Sequence, residues 1–145
     1  MSKTFLNKFD PEPVWDVVVP GRIAILRLRG AGGSLDLTVC YLDSSSAPER
    51  IAACSKLSQH LKPAAEVLSL VFGDFNVVER DEDRIDKASG LWAGQSNERE
   101  SGLFGANLLS PHSLHEWPQT EHTGEMAGDR SRIDECYSNL AVSDQ

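Results

Sequence analysis

The sequence has little of what several functional classes need. Cysteine is scarce: Cys40, Cys54 and Cys136 are odd in number, widely spaced and form no CxxC pair. That argues against a disulfide framework and a structural zinc site. It points to free thiols in a reducing compartment, intracellular rather than secreted. No run approaches the roughly 18 apolar residues of a membrane span. Met1 to Asp10 has two lysines but no apolar core, so it lacks the pattern of a secretory signal. Basic charge is also short, with 14 Lys and Arg against 22 Asp and Glu and a formal net charge of −8. A protein that holds nucleic acid by bulk charge needs the opposite sign. Asp81-x-Asp83 begins like a calcium loop, but Asp86 stands where the loop needs its glycine.

What is present is an ordinary globular composition in one domain's length: 145 residues, 40% hydrophobic and 25% charged. The charge is uneven. Residues 1–62 hold eight Lys and Arg and six Asp and Glu, whereas residues 63–145 hold six and sixteen. An acidic half of this kind is first a solvated face, and otherwise a tail or a gathering point for divalent cations.

Residues 1–14 read as an irregular start and residues 15–145 as the domain. Arg22 to Arg29 is strand-like, glycines 30, 32 and 33 supply a turn, and Leu35 to Tyr41 alternates with period two, which together predict a β-hairpin. Leu35, Leu37, Val39 and Tyr41 share one face. Ser46 with Glu49 has capping-box spacing and Pro48 suits a first turn, so a helix is predicted from Ala47 to Leu61, stopped before Pro63. Val67 to Phe72 is a short apolar run ending at glycine and reads as a strand buried on both faces. Leu103 to Leu109 reads as a short helix and Ser131 to Tyr137 as a further short strand. Strand, strand, helix, strand implies an α/β sheet with helical cover.

The sharpest local feature is Phe72-Gly73-Asp74-Phe75-Asn76. Ligands of open α/β sheets sit at strand carboxyl ends. An Asp there can bind a metal or orient water, and an Asn two residues on points the same way if the strand alternation continues. The competing reading is that both residues satisfy a turn. The other candidates are weaker. His60 reads as a solvent-facing helix end, and His112-x-x-His115 lacks further spaced ligands. Trp15, Trp92 and Trp117 read as packing residues, with base stacking second. Arg22, Arg27 and Arg29 read as a solvated strand edge, with contact to a phosphate backbone second, and Cys136 as a buried small residue.

Gly73-Asp74-Phe75-Asn76 after an apolar strand resembles the signature of the endonuclease/exonuclease/phosphatase superfamily, the fold of DNase I and of apurinic/apyrimidinic endonucleases. Val39 to Asp43 resembles the strand that brings a tyrosine or histidine to the phosphate. Ser131-Arg132-Ile133-Asp134 resembles the family's Arg-Ile/Leu-Asp motif, in a form similar to retrotransposon-type endonucleases. The resemblance covers about residues 15–140. It implies a partial DNase I-like α/β sandwich, of mixed sheets covered by helices, with the family's N-terminal strands missing. Asn7 and Glu12 lie in the wrong context to replace the family's early Asn and metal-binding Glu. Ser143-Asp144 imitates the start of its closing Ser-Asp-His motif and then gives way to Gln145.

The resemblance implies roles. Asp74 would orient or deprotonate the attacking water, Asn76 would contact the scissile phosphate, Asp134 would hold the polar network, and Tyr41 would touch the phosphate or transition state. Asp74 and Asp134 would be the metal ligands, for Mg2+ or Mn2+. The implied activity is divalent-metal-dependent phosphodiester hydrolysis, with DNA as the substrate of an endonuclease and no membrane partner. Two alternatives stay open: an inactive truncated fragment, and a phosphatase or phospholipid phosphodiesterase of the same fold.

Overall fold

The computed structural model describes residues 3–10, 12–77, 83–92, 98–117, 119, 122–126 and 129–140. The strands are β1 (Val14–Val19), β2 (Ile23–Gly30), β3 (Gly33–Tyr41), β4 (Leu68–Asp74), β5 (Arg84–Asp86), β6 (His115–Glu116), β7 (Gly124–Met126), β8 (Asp129–Ser131) and β9 (Asp134–Ser138). The helices are a single turn α1 (Lys3–Leu6), then α2 (Ala47–His60) and α3 (Glu98–Phe104), the last running into a π-helical turn over Gly105–Leu109. Six strands form one mixed sheet in the order β1-β2-β3-β4-β9-β6, and β5-β8-β7 form a small second sheet. Ser143-Asp144-Gln145 and Asp81 lie outside the described residues.

The hairpin and helix follow the local chemistry. β2 and β3 pair from Ile23↔Cys40 to Gly30↔Gly33, and Gly33 takes φ +129°, which favours glycine. The Ser46 hydroxyl accepts from the Glu49 N–H at 3.4 Å and caps α2, with proline in the first turn. Asp43 adds a second anchor, accepting from the N–H groups of Ser45 and Ser46 at 2.8 Å each. Leu61 is extended and closes the helix one residue earlier than the pattern suggests. α2 crosses over to bring β4 alongside β3, the one parallel pair of the large sheet.

Helices cover a single face of that sheet. Ile23, Ile25, Cys40, Val71 and Tyr137 meet Cys54 and Leu57 of α2 and Leu61 just after it, with Phe104 at the end of α3 and Leu108 and Leu114 beyond. Ile25, Leu57 and Val71 are wholly buried, each contributing about 1.5–3 kcal/mol by area. Phe75, Phe104 and Tyr137 pack edge to face, with ring centres 5.4–5.6 Å apart. A bidentate pair, Arg50 to Glu100, ties α2 to α3 with its closer contact at 2.5 Å, and the Arg50 guanidinium also donates to the Asp43 carbonyl.

Four expectations need correction. β4 is not buried on both faces: Leu68 and Phe72 are exposed because helices cover the opposite face. Arg27 and Arg29 are not a solvated edge. Both pair with the fully buried Asp36 under the helical layer, and Arg27 also reaches Asp16 at 2.7 Å. Trp15, Trp92 and Trp117 are exposed rather than packed. The stretch Ser131 to Tyr137 is two strands in two sheets, broken at Arg132-Ile133. Two smaller differences lie in the first residues: Lys3–Leu6 forms a helical turn, and the first strand begins at Val14.

Candidate active site

Three candidates lie in one row across the sheet. Tyr41 pairs with Asp74 in the parallel ladder of β3 and β4, and Asp74 pairs with Asp134 in the antiparallel ladder of β4 and β9. Directly opposed residues point to the same face, with Cβ atoms about 4.5–5.5 Å apart in the antiparallel pair. All three therefore stand on the helix-free face, at the carboxyl end of β4.

Gly73 makes this row possible. Its φ is +135°, and a Cβ there would lie 2.0 Å from the Cys40 carbonyl oxygen. The backbone of β4 is thus pressed onto β3 one residue before Asp74. Phe75 then drops into the core, and its N–H donates to the Ile133 carbonyl at 2.9 Å. The turn and the acid row are fixed by the same buried ring.

Asp74 is partly desolvated. Burial, and then the neighbouring Asp134 carboxylate, push its pKa above the ordinary value, against a hydrogen bond from the Asn76 N–H at 2.9 Å. A raised folded pKa contributes stability below the unfolded value, and that contribution is lost as pH rises through the folded pKa. Asp134→Asn removes the like charge, so the Asp74 midpoint should fall, by NMR titration of its carboxyl carbon. An unchanged midpoint would separate the two acids.

Asn76 behaves differently from a strand residue. Its φ is +51°, so the period-two alternation ends at Asp74, and its side-chain amide turns back to donate to the Leu42 carbonyl at 2.9 Å. The turn reading of Asn76 is therefore realised in the geometry. Asn76→Gly keeps the left-handed backbone cheaply and should lose about 1 kcal/mol for the missing bond, by chemical denaturation. A fall in cleavage far beyond that loss would assign the amide a role at the phosphate.

Arg22, expected on a solvated strand edge with a phosphate-backbone contact as the alternative, lies beside the row. It stands just before β2, opposite Tyr41, whose N–H donates to its carbonyl at 2.8 Å. Its guanidinium sits 5.2 Å from the Tyr41 ring centre and 3.0 Å from Asp43. The hairpin register was the available signal, since Ile23↔Cys40 places Arg22 against Tyr41. Arg132, by contrast, is buried between Asp83, at 2.9 Å, and Glu116. It braces the start of β9 rather than facing the acid row. The Asp134 N–H donates to the Thr123 hydroxyl at 3.0 Å.

Three of the histidines stand apart from the row. His112 bonds the Ser58 hydroxyl at 2.9 Å, His60 faces Asp16 at 3.1 Å, and His115 lies in β6. Among the described residues no group of three or more His, Cys, Asp or Glu side chains could hold a metal ion. Asp74 and Asp134 alone offer two hard carboxylates, a donor set that suits a magnesium ion retaining most of its waters.

No family model and no curated protein matches the sequence. Solved structures do match the fold. The endonuclease domain of TRAS1, a telomere-specific non-LTR retrotransposon, superposes with a TM-score of 0.62 at 15% identity, over 92% of this chain and 56% of that one. A humanised TDP2 from D. rerio gives 0.58 at 17% identity, over 94% and 53%. An endonuclease/exonuclease/phosphatase family protein from Bacteroides thetaiotaomicron gives 0.55 at 14%, over 92% and 52%. This is a partial DNase I-like fold. The mixed sheet with helices on one face is the α/β architecture that the Gly-Asp-Phe-Asn and Arg-Ile-Asp motifs imply. The DNase I-like chain described here spans about half the length of the solved structures it matches.

Proposed function

We propose that this chain carries part of the centre of a divalent-metal-dependent phosphodiesterase that cleaves DNA as an endonuclease. The observation that carries this is the alignment of Tyr41, Asp74 and Asp134 across three strands at one sheet end. Among the solved structures of the same fold, one is an endonuclease domain and another is D. rerio TDP2 complexed with a single-strand DNA product, which supports a nucleic-acid substrate.

Each residue has a role suited to its surroundings. Asp74, with its pKa raised by burial, is the proton acceptor for an attacking water, because a base works best when its pKa approaches the working pH. Asp134 raises the affinity of the row for a cation and sharpens the basicity of Asp74. The Tyr41 hydroxyl donates to a phosphoryl oxygen, and Arg22 beside its ring supplies fixed positive charge there. The Asn76 amide closes the turn that aims Asp74 and offers its remaining polar capacity to the phosphate. A bound Mg2+ or Mn2+ on Asp74 and Asp134 would neutralise charge that develops on phosphoryl and leaving oxygens.

The test has two arms. Plasmid nicking by the purified protein with magnesium, lost on addition of EDTA, supports the reaction. Paramagnetic broadening by Mn2+ of the NMR signals around Asp74 and Asp134 tests the metal site without catalysis. Unaltered nicking in Asp74→Ala would remove Asp74 from the mechanism, and no broadening near either acid would remove the metal from this row.

A further inference from the structure

β3 is polar on the side that the helices cover. Strand alternation turns Asp36, Thr38 and Cys40 toward the helical layer, and Leu37, Val39 and Tyr41 toward the open face. Ser69 of β4 is directly opposed to Asp36. Asp36 and Thr38 are 0% exposed and Ser69 is 1% exposed. A polar group so placed has only the protein, or a molecule held inside it, to bond.

Much of this cluster is bound. Asp36 Oδ2 accepts from Arg27 Nη1. Arg27 Nη2 donates to Asp16 at 2.7 Å and to the His60 carbonyl, at the end of α2, at 2.9 Å. The Ser69 N–H donates to the Asn139 amide oxygen at 2.8 Å, and the Ser69 carbonyl accepts from the Asn139 N–H at 3.2 Å. Three side-chain oxygens are left over. The Thr38 and Ser69 hydroxyls have no hydrogen-bond partner among the described residues. Neither has Asp36 Oδ1, beside which Arg29 Nη1 lies at 2.7 Å without the alignment of a bond.

The three oxygens belong to one spot. Asp36 and Ser69 face each other across strands about 4.8 Å apart, and Thr38 lies two residues, about 6.6 Å, along β3. We propose that they bind one internal water molecule, held between β3 and β4 beneath the end of α2. A water there accepts from both hydroxyls and donates to Asp36 Oδ1, the roughly three bonds typical of a buried water. A cation is disfavoured, because the Arg27 and Arg29 guanidiniums already face the one carboxylate. The water links the parallel strands on the face opposite to the acid row. The inference is independent of the phosphodiesterase reading, since it uses none of that row.

Oxygen-17 relaxation dispersion, which counts long-lived internal waters, tests it together with chemical denaturation. The double variant Thr38→Val/Ser69→Ala should hold one such water fewer than the parent. Thr38→Val alone should lower the folding equilibrium constant about tenfold, because it strands the partners of the lost hydroxyl. Thr38→Ser, which keeps the hydroxyl, should keep the water count. If Thr38→Val fails to fold, Ser69→Ala carries the same comparison. In a dry cluster the outcome reverses: Thr38→Val removes an unpaired hydroxyl and raises the folding constant. A folding constant unchanged or raised in the single variants, or an unaltered water count in the double variant, overturns the proposal. Stability that falls when sodium is replaced by choline would assign the spot to a cation instead, and so would also overturn it.

Discussion

Asp74→Asn should lower metal-dependent DNA cleavage by about 100-fold to 10,000-fold, the range a positioned general base contributes. The same change should leave thermal stability unchanged or slightly higher. Asp74 has its pKa raised by burial and by Asp134, so its ionised form at neutral pH is held against the preference of the fold. The asparagine carbonyl can still accept from the Asn76 N–H that now bonds Asp74 at 2.9 Å. Loss of activity without loss of stability distinguishes a chemical group from a turn former. Asp134→Asn should lower cleavage as well, because it removes the other carboxylate proposed to hold the metal. Steady-state rates of plasmid nicking, with melting curves alongside, check all three expectations. Equal losses of activity and stability would return Asp74 to a structural role.

Gly73→Ala should be the most damaging single substitution in this region. The position has φ +135°, which an L side chain rarely adopts and which costs about 1–3 kcal/mol. The added Cβ would meet the Cys40 carbonyl oxygen at 2.0 Å, and that oxygen is backbone in the neighbouring strand and cannot swing away. β3 and β4 would have to separate where Tyr41 and Asp74 are paired. A loss of about 4 kcal/mol or more, or failure to fold, is expected in chemical denaturation. An Ala variant within about 1 kcal/mol of the parent would show that the close approach at Gly73 is not required. Gly21→Ala is a useful comparison, since it has φ +69° but open space around it, and should cost only the backbone strain.

Much of this was legible in the residues. The hairpin, the Ser46-capped helix and the strand before Gly73 all have short-range causes: period-two alternation, a capping hydroxyl, a proline and a glycine. The acids at 74 and 134 were marked by motif, and their adjacency follows from register, which no local pattern encodes. The misses share a cause as well. Which face of β3 and β4 is covered depends on where α2 packs, so the more apolar face turned out to be the open one. Arg27 and Arg29 looked solvated because their partner Asp36 is equally polar in sequence, yet both turn inward to pair with that fully buried carboxylate. The break at Arg132 was hidden because its ion partners, Asp83 and Glu116, come from distant segments. Asn76 left the strand alternation through a left-handed residue, a conformation that Asn tolerates but does not announce.

The pairing of Asp74 with Asp134 joins strands that most of the remaining chain separates, with α3, β6 and the small sheet between them. Loop-closure entropy makes such a contact late to form and early to lose. Either carboxylate alone, in a partly folded chain, faces water without the other beside it. The row therefore exists only when β9 is docked, so this end of the sheet can report on the completeness of folding, by metal affinity as well as by structure.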